Sequence, residues 1–326
     1  MNIHFSKLFL CLSLISLFSW GCQSANSPPV ITNQNCHQVN HSQGVTCIPN
    51  DWQTLVALDS VTAEGAIALG ITPLGTTFSG ISKHLEDRLT NVNNIGITGE
   101  PNIEKILALK PDLIVGIDGQ ENIYPQLSQI APTALIKFSH SGHWKAVFQE
   151  FSTLIGKKEL GEEVMAKYDR RIAEFRAKIG DNPPVVSVVR IYPDSINLYL
   201  RDSFVGTILA DAGLPRPESQ NLSAEEAQKI AGNEIQMTIS KELLTKADGD
   251  VIFIWTGEND PKINEELQQK IIALQKDPLW QNLKAVQNGR VYQVPSYWIG
   301  SGLIAANLVL DDLFKYLIDE QKNSNK

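Results

Sequence analysis

The 326-residue chain has a formal net charge of −8, with 43% hydrophobic and 20% charged residues. That acidic balance excludes a nucleic-acid binder, because nothing offsets repulsion by phosphates, and the apolar content is that of a globular protein rather than a disordered one. Beyond Cys22 no apolar stretch approaches the length of a membrane span.

Residues 1–21 carry Lys7, the apolar run Leu8 to Phe18, and then Ser19-Trp20-Gly21. The run is too short to cross a bilayer and reads as an export signal. A small residue directly before Cys22 resembles the lipobox of bacterial lipoproteins, although Ser19 and Trp20 stand where an aliphatic and a small residue are common. The resemblance implies acylation of Cys22 and a periplasmic protein anchored to a membrane; cleavage and release is the alternative. Residues 22–50 are expected to hold a Ser-, Asn-, Gln- and Pro-rich tether and then a small hairpin with Cys36 and Cys47 at its ends. In an oxidising compartment such a pair usually bonds, which stabilises by about 3 kcal/mol at most. A zinc set of Cys36, His37, His41 and Cys47 has the wrong spacing.

Residues 51–142 alternate strand and helix signals and read as an N-terminal lobe. Leu55 to Leu58 opens the first strand, Thr62 to Leu69 is a helix stopped by Gly70, Pro101 to Ala108 is a helix begun by proline, and Leu113 to Val115 is a buried strand. Residues 143–180 form a helical linker. There Leu160, Val164, Tyr168, Ile172, Phe175 and Ile179 recur at helical spacing, so 158–179 is a rod of about 33 Å. A rod between two α/β lobes predicts small hinge motion. Residues 181–326 form a C-terminal lobe, opening with the apolar run Val185 to Val189 as a central parallel strand and closing with a helix over Gly302 to Ile318.

The two lobes repeat one pattern. Glu104 precedes Asp112-Leu113-Ile114-Val115 by eight residues, and Glu242 precedes Asp250-Val251-Ile252-Phe253 by the same interval. Two similar lobes make a cleft, and ligands of open α/β sheets lie beyond the carboxyl ends of the strands. Arg190 ends the first strand of the second lobe and offers a planar fork of donors to an oxygen-rich anion; an ion pair with Asp194 or Asp202 is the plainer reading, and Arg201 is a second candidate. Trp255 follows the strand Val251 to Ile254, and Tyr297 with Trp298 follows Val291 to Val294, where aromatic faces could meet a ligand or pack in the core. Trp280 and Trp144 read as packing residues.

The stretch Gly99-Glu100-Pro101-Asn102-Ile103-Glu104-Lys105-Ile106-Leu107-Ala108-Leu109-Lys110-Pro111-Asp112-Leu113-Ile114 resembles the siderophore- and cobalamin-binding proteins that feed ABC importers. So do Ile130-Ala131-Pro132-Thr133, Val186 to Arg190, Asp277-Pro278-Leu279-Trp280 and Gly289-Arg290-Val291-Tyr292, so that the likeness covers residues 45 to 320. It implies an α/β fold of two Rossmann-like lobes with parallel sheets joined by one long α-helix. It also implies a monomeric carrier without cofactor or bound metal of its own, whose cargo is a ferric siderophore with the iron already chelated. From the first lobe Thr98 and Gly99, just before Glu100-Pro101-Asn102, offer backbone donors and small side chains to the ligand, although the arginine that ferrichrome-binding relatives carry near Thr98 is absent, and by the same resemblance Glu104 with Glu242 docks on permease arginines. No Gly-x-Ser-x-Gly, His-Glu-x-x-His, P-loop or dinucleotide fingerprint points to an enzyme. The alternatives are a haem or cobalamin carrier, using His140 or His143, and a periplasmic sensor that has lost transport.

Overall fold

A computed structural model describes residues 35–79, 82–257 and 261–320. The export signal, Cys22 and the tether expected before Asn35 lie outside the described residues. The hairpin β1 (Cys36–His41) and β2 (Gly44–Pro49) comes first, with Cys36 and Cys47 joined across it at a Cα separation of 5.6 Å. Both histidines of the hairpin are engaged: His37 Nδ1 bonds Asn50 and its Nε2 bonds the Leu154 carbonyl, and His41 Nε2 bonds Thr46.

The first lobe contains β3 (Leu55–Ala57), α1 (Ser60–Ala68), β4 (Gly75–Phe78), β5 (Asn93–Ile97), β6 (Glu100–Pro101), α2 (Ile103–Leu109), β7 (Leu113–Ile117), α3 (Tyr124–Ile130) and β8 (Thr133–Ile136). Its sheet has the order β6-β5-β4-β3-β7-β8 and is parallel except at β6. Pro101 pairs with β5 instead of starting a helix. The cap belongs to Asn102, whose side chain accepts from Lys105 N–H at 2.8 Å, so α2 starts two residues later than proline alone suggested.

Then come α4 (Trp144–Leu154) and α5 (Lys158–Ile179), the rod expected from periodicity. Its buried stripe is Gly161, Met165, Tyr168, Ile172 and Phe175, while Leu160 stays 37% exposed. The stripe is turned because Gly161 packs against α4, where a Cβ would stand 2.3 Å from Ser152 Oγ. Hydropathy periodicity does not count a glycine as a core residue.

The second lobe contains β9 (Val186–Ile191), β10 (Ile196–Tyr199), α6 (Phe204–Asp211), α7 (Ala224–Ala231), β11 (Gln236–Ile239), β12 (Val251–Trp255), α8 (Pro261–Gln275), α9 (Pro278–Gln281), α10 (Lys284–Gln287), β13 (Val291–Gln293) and α11 (Leu303–Phe314). Its sheet runs β11-β10-β9-β12-β13, and only β9, β12 and β13 are parallel. β10 lies antiparallel to β9 because the four-residue link Tyr192-Pro193-Asp194-Ser195 makes a tight turn, closed by Tyr192 N–H to Ser195 O at 2.9 Å, and is too short for a crossover.

One core runs through both lobes: Leu55, Val115 and Ala134 from the first sheet, Tyr168 and Phe175 from α5, Val188 and Phe253 from the second sheet, and Val309 from α11. Tyr168 donates to Asp211 on α6 at 2.8 Å, and Arg171 to Asn307 on α11 at 2.6 Å, so the rod is fastened on its second-lobe side as well. A shared core of this kind resists large hinge motion.

Asp59 pins the first lobe where β3 meets α1. It is 3% exposed, its Oδ1 accepts from Thr62 N–H and its Oδ2 from Ile117 N–H, both at 2.8 Å. Replacing it with alanine removes the cap of α1 and takes the acceptor from a partly buried amide of β7. Asp59→Ala is expected to lower unfolding free energy by about 2–4 kcal/mol in urea melts; a loss below about 1 kcal/mol would contradict the double role.

Candidate functional site

The repeat seen in the sequence has a structural counterpart. Asp112 Oδ2 accepts from Thr54 N–H at 2.8 Å just before β3, and Asp250 Oδ2 accepts from Val185 N–H at 2.8 Å just before β9. In both lobes the strand that follows, β7 or β12, lies parallel beside the strand so pinned. The Gln53 amide with the Thr54 hydroxyl and amide holds the Asp112 carboxyl below the usual carboxylate range, and the Lys284 ammonium with the Val185 amide does the same for Asp250. Glu104 and Glu242 therefore stand at matching places: each is exposed in the first turn of the helical segment that leads into that strand.

A cleft of about 630 Å³ lies between the lobes. Ser60, Ser79, Thr98 and Phe138 line it just after β3, β4, β5 and β8; Arg190 and Tyr192 line it at the end of β9, and Ser296 after β13. The position is that of ligand sites in open α/β sheets, and the size suits a small-molecule ligand.

Arg190 is the central cation of the second-lobe wall, 4% exposed. Nη1 donates to Tyr192 Oη at 2.5 Å and to Tyr199 Oη at 3.2 Å, and Nη2 to the Gly257 carbonyl at 2.5 Å. The guanidinium carbon lies 3.9 Å from the Tyr192 ring centroid and 4.4 Å from that of Trp255. Tyr192 in turn donates to Gln236 Oε1 at 3.2 Å. Burial pushes the Tyr199 phenol up, so it stays protonated beside the cation.

The aromatic residues expected to line the pocket are placed otherwise. Trp255 is fully buried as the last residue of β12, in register with Arg190, so its ring covers that cation and stands edge-on to Tyr199 at 5.5 Å. Trp298 is also fully buried, 4.4 Å from the Phe253 ring, and donates Nε1–H to Asp312 Oδ2 at 2.8 Å. Tyr297 donates to the same oxygen at 2.7 Å and faces a neighbouring hollow with Lys83 and His84. Arg201 pairs with Asp202 at 3.3 Å, and neither it nor Gly99 is among the cleft-lining residues, whereas Thr98 is. Trp280 and Trp144 are buried, the latter donating to Thr207 at 3.0 Å.

On the first-lobe side the cleft contains a pair that sequence reasoning missed. Glu64, in the middle of α1, accepts from Ala305 N–H through Oε1 at 2.7 Å and from His84 Nε2–H through Oε2 at 3.2 Å. Gly302, the N-cap of α11, has no side chain to cap that helix, and a Cβ there would stand 2.4 Å from the Glu64 carboxyl carbon. A carboxylate of one lobe thus caps a helix of the other, where the helix dipole favours negative charge. The sequence did carry a signal, since Glu64 is the single charged residue in the small, apolar segment Ser60–Ala68. His140 also lines the cleft, with its ring 4.0 Å from that of His143 and Nε2 4.0 Å from Glu234. Burial, and then His143, hold its pKa below the ordinary imidazole value.

Comparison with known proteins agrees with this architecture. The family model described as periplasmic binding protein matches residues 55–298. The chain belongs to this periplasmic binding protein family. A probable siderophore-binding lipoprotein of Bacillus subtilis, YfiY, is 35% identical over 98% of this chain and 99% of its own length. The achromobactin-binding periplasmic protein of Dickeya dadantii is 29% identical over 80% of this chain and 85% of its own. Staphylococcus aureus SirA, in a crystal structure with staphyloferrin B, superposes with a TM-score of 0.74 at 27% identity, covering 86% of this chain and 98% of SirA. Among the described residues of this binding protein, no helix is long and apolar enough to cross a membrane.

Proposed function

We propose that this periplasmic binding protein captures a ferric siderophore in the inter-lobe cleft and delivers it to the permease of an ABC importer. The observation that carries the reading is Arg190, a cation held at the strand ends of the cleft between Tyr192 and Trp255. The names of its relatives point the same way. The iron would arrive inside its chelator as cargo, so the protein needs no metal ligands or cofactor of its own and performs no covalent chemistry. Arg190 and Thr98 would meet the cargo directly. Trp255 would act by holding Arg190, and Tyr297 and Trp298, both bonded to Asp312, would support the segment that lines the cleft at Ser296 and Ile299. The chain would be exported by residues 1–21 and work as a monomer anchored through Cys22 in the periplasm, with Glu104 and Glu242 meeting the permease.

Tryptophan fluorescence tests the reading, because Trp255 lies beside Arg190. Titration of the exported chain with ferric hydroxamate, catecholate and citrate chelates should give saturable quenching with at least one of them. A response to haem or cobalamin alone would assign the cleft, with His140, to a different cargo. Silence toward every ligand would favour a sensing or interaction role.

A further inference from the structure

The charges around the cleft bear on which chelates it accepts. Among its described lining residues, one guanidinium, Arg190, faces two carboxylates, Glu64 and Glu234. Glu64 is buried with its side chain 4% exposed, and Glu234 stands 46% exposed beside His140. Three of the five N–H donors of Arg190 are given to Tyr192, Tyr199 and the Gly257 carbonyl, just as Glu64 is given to Ala305 N–H and His84, so that cation of the wall is partly used by the protein itself. The remaining polar lining includes Ser60, Ser139, Ser141, Gln228, Asn233 and Gln236, all uncharged. The chain as a whole is acidic, at −8.

A strongly anionic chelate needs an excess of cations in a site that strips its water, since like charges brought together there cost affinity and slow encounter. Tris-catecholate and citrate chelates of ferric iron carry such negative charge. A tris-hydroxamate chelate does not: each hydroxamate contributes one negative charge, the metal balances all of them, and the outer surface is made of amide and hydroxamate oxygens. Serine, asparagine and glutamine side chains suit that surface. Resting on the siderophore reading above, we infer that the cargo is a ferric hydroxamate chelate without net negative charge, and that Glu234 at the rim favours a chelate with a cationic arm.

The test uses the exported chain and four probes: ferric desferrioxamine B, which bears an ammonium group, its N-acetylated uncharged form, a ferric tris-catecholate and ferric citrate. Both hydroxamates should bind, each about tenfold or more tighter than either anionic chelate. Glu234→Lys, a change at a half-exposed side chain, should weaken binding of the ammonium-bearing probe and strengthen that of ferric citrate. Tighter binding of the catecholate or citrate chelate by the native chain, or affinities for the ammonium-bearing probe and ferric citrate that do not move in Glu234→Lys, would overturn the charge assignment while leaving the siderophore reading intact. No saturable binding of any of the four would overturn the siderophore reading itself.

Discussion

Arg190→Met is expected to lose affinity for its ferric chelate and also to lose stability, by about 2–4 kcal/mol in denaturant unfolding. Two consequences are tied together because the guanidinium serves the protein before it serves any ligand. Its removal leaves the Tyr192 and Tyr199 hydroxyls and the Gly257 carbonyl without their donor, and takes the cation from between two rings. The wall that faces the cargo is built on those contacts, so the loss of affinity should exceed that of one ligand hydrogen bond. Arg190→Lys separates the roles. It keeps a positive charge but cannot span three acceptors with a planar fork, so its affinity should fall between the native chain and the methionine variant. If Arg190 were only a ligand contact, the methionine variant would be as stable as the native chain or more so, because an unsupported buried charge would have been removed. That result would refute the wall-building role.

The elements that repeat a local pattern were legible in the sequence. The rod over 158–179 follows from apolar spacing and the stop at Gly180, and Arg190 at a strand end follows from the apolar run before it. What escaped depends on partners distant in sequence. Trp255 is positioned by its register beside Arg190, a pairing of β12 with β9 that strand propensity alone does not reveal. Trp298 and Tyr297 are claimed by Asp312, fourteen and fifteen residues onward on α11, so their polar edges were already spoken for. Glu64 serves a helix cap 241 residues away. The antiparallel β10 was within reach of a closer reading, since Pro193-Asp194 after an apolar strand is a turn signal.

The repeat also yields the last expectation. Glu104→Ala with Glu242→Ala should leave the affinity for the ferric chelate within about twofold of native, because both side chains are exposed and neither lines the cleft, while uptake through the importer falls about a hundredfold or more. The magnitude decides the mechanism. An exposed glutamate paired loosely at the rim of an interface contributes about 0.2–1 kcal/mol, so a rim role predicts a loss of about two- to thirtyfold for the pair. A charge that becomes buried against an arginine on docking costs about 2–5 kcal/mol when its partner is truncated. Asp112 and Asp250 pin the backbone of their lobes through the same kind of bond, so the two glutamates are presented at matching places, Glu104 on an α-helix and Glu242 on a 3₁₀ segment. Each single variant should therefore impair uptake by a similar factor. Undiminished uptake in the double variant would remove these residues from the docking surface, and a large effect confined to one of them would refute the symmetric arrangement.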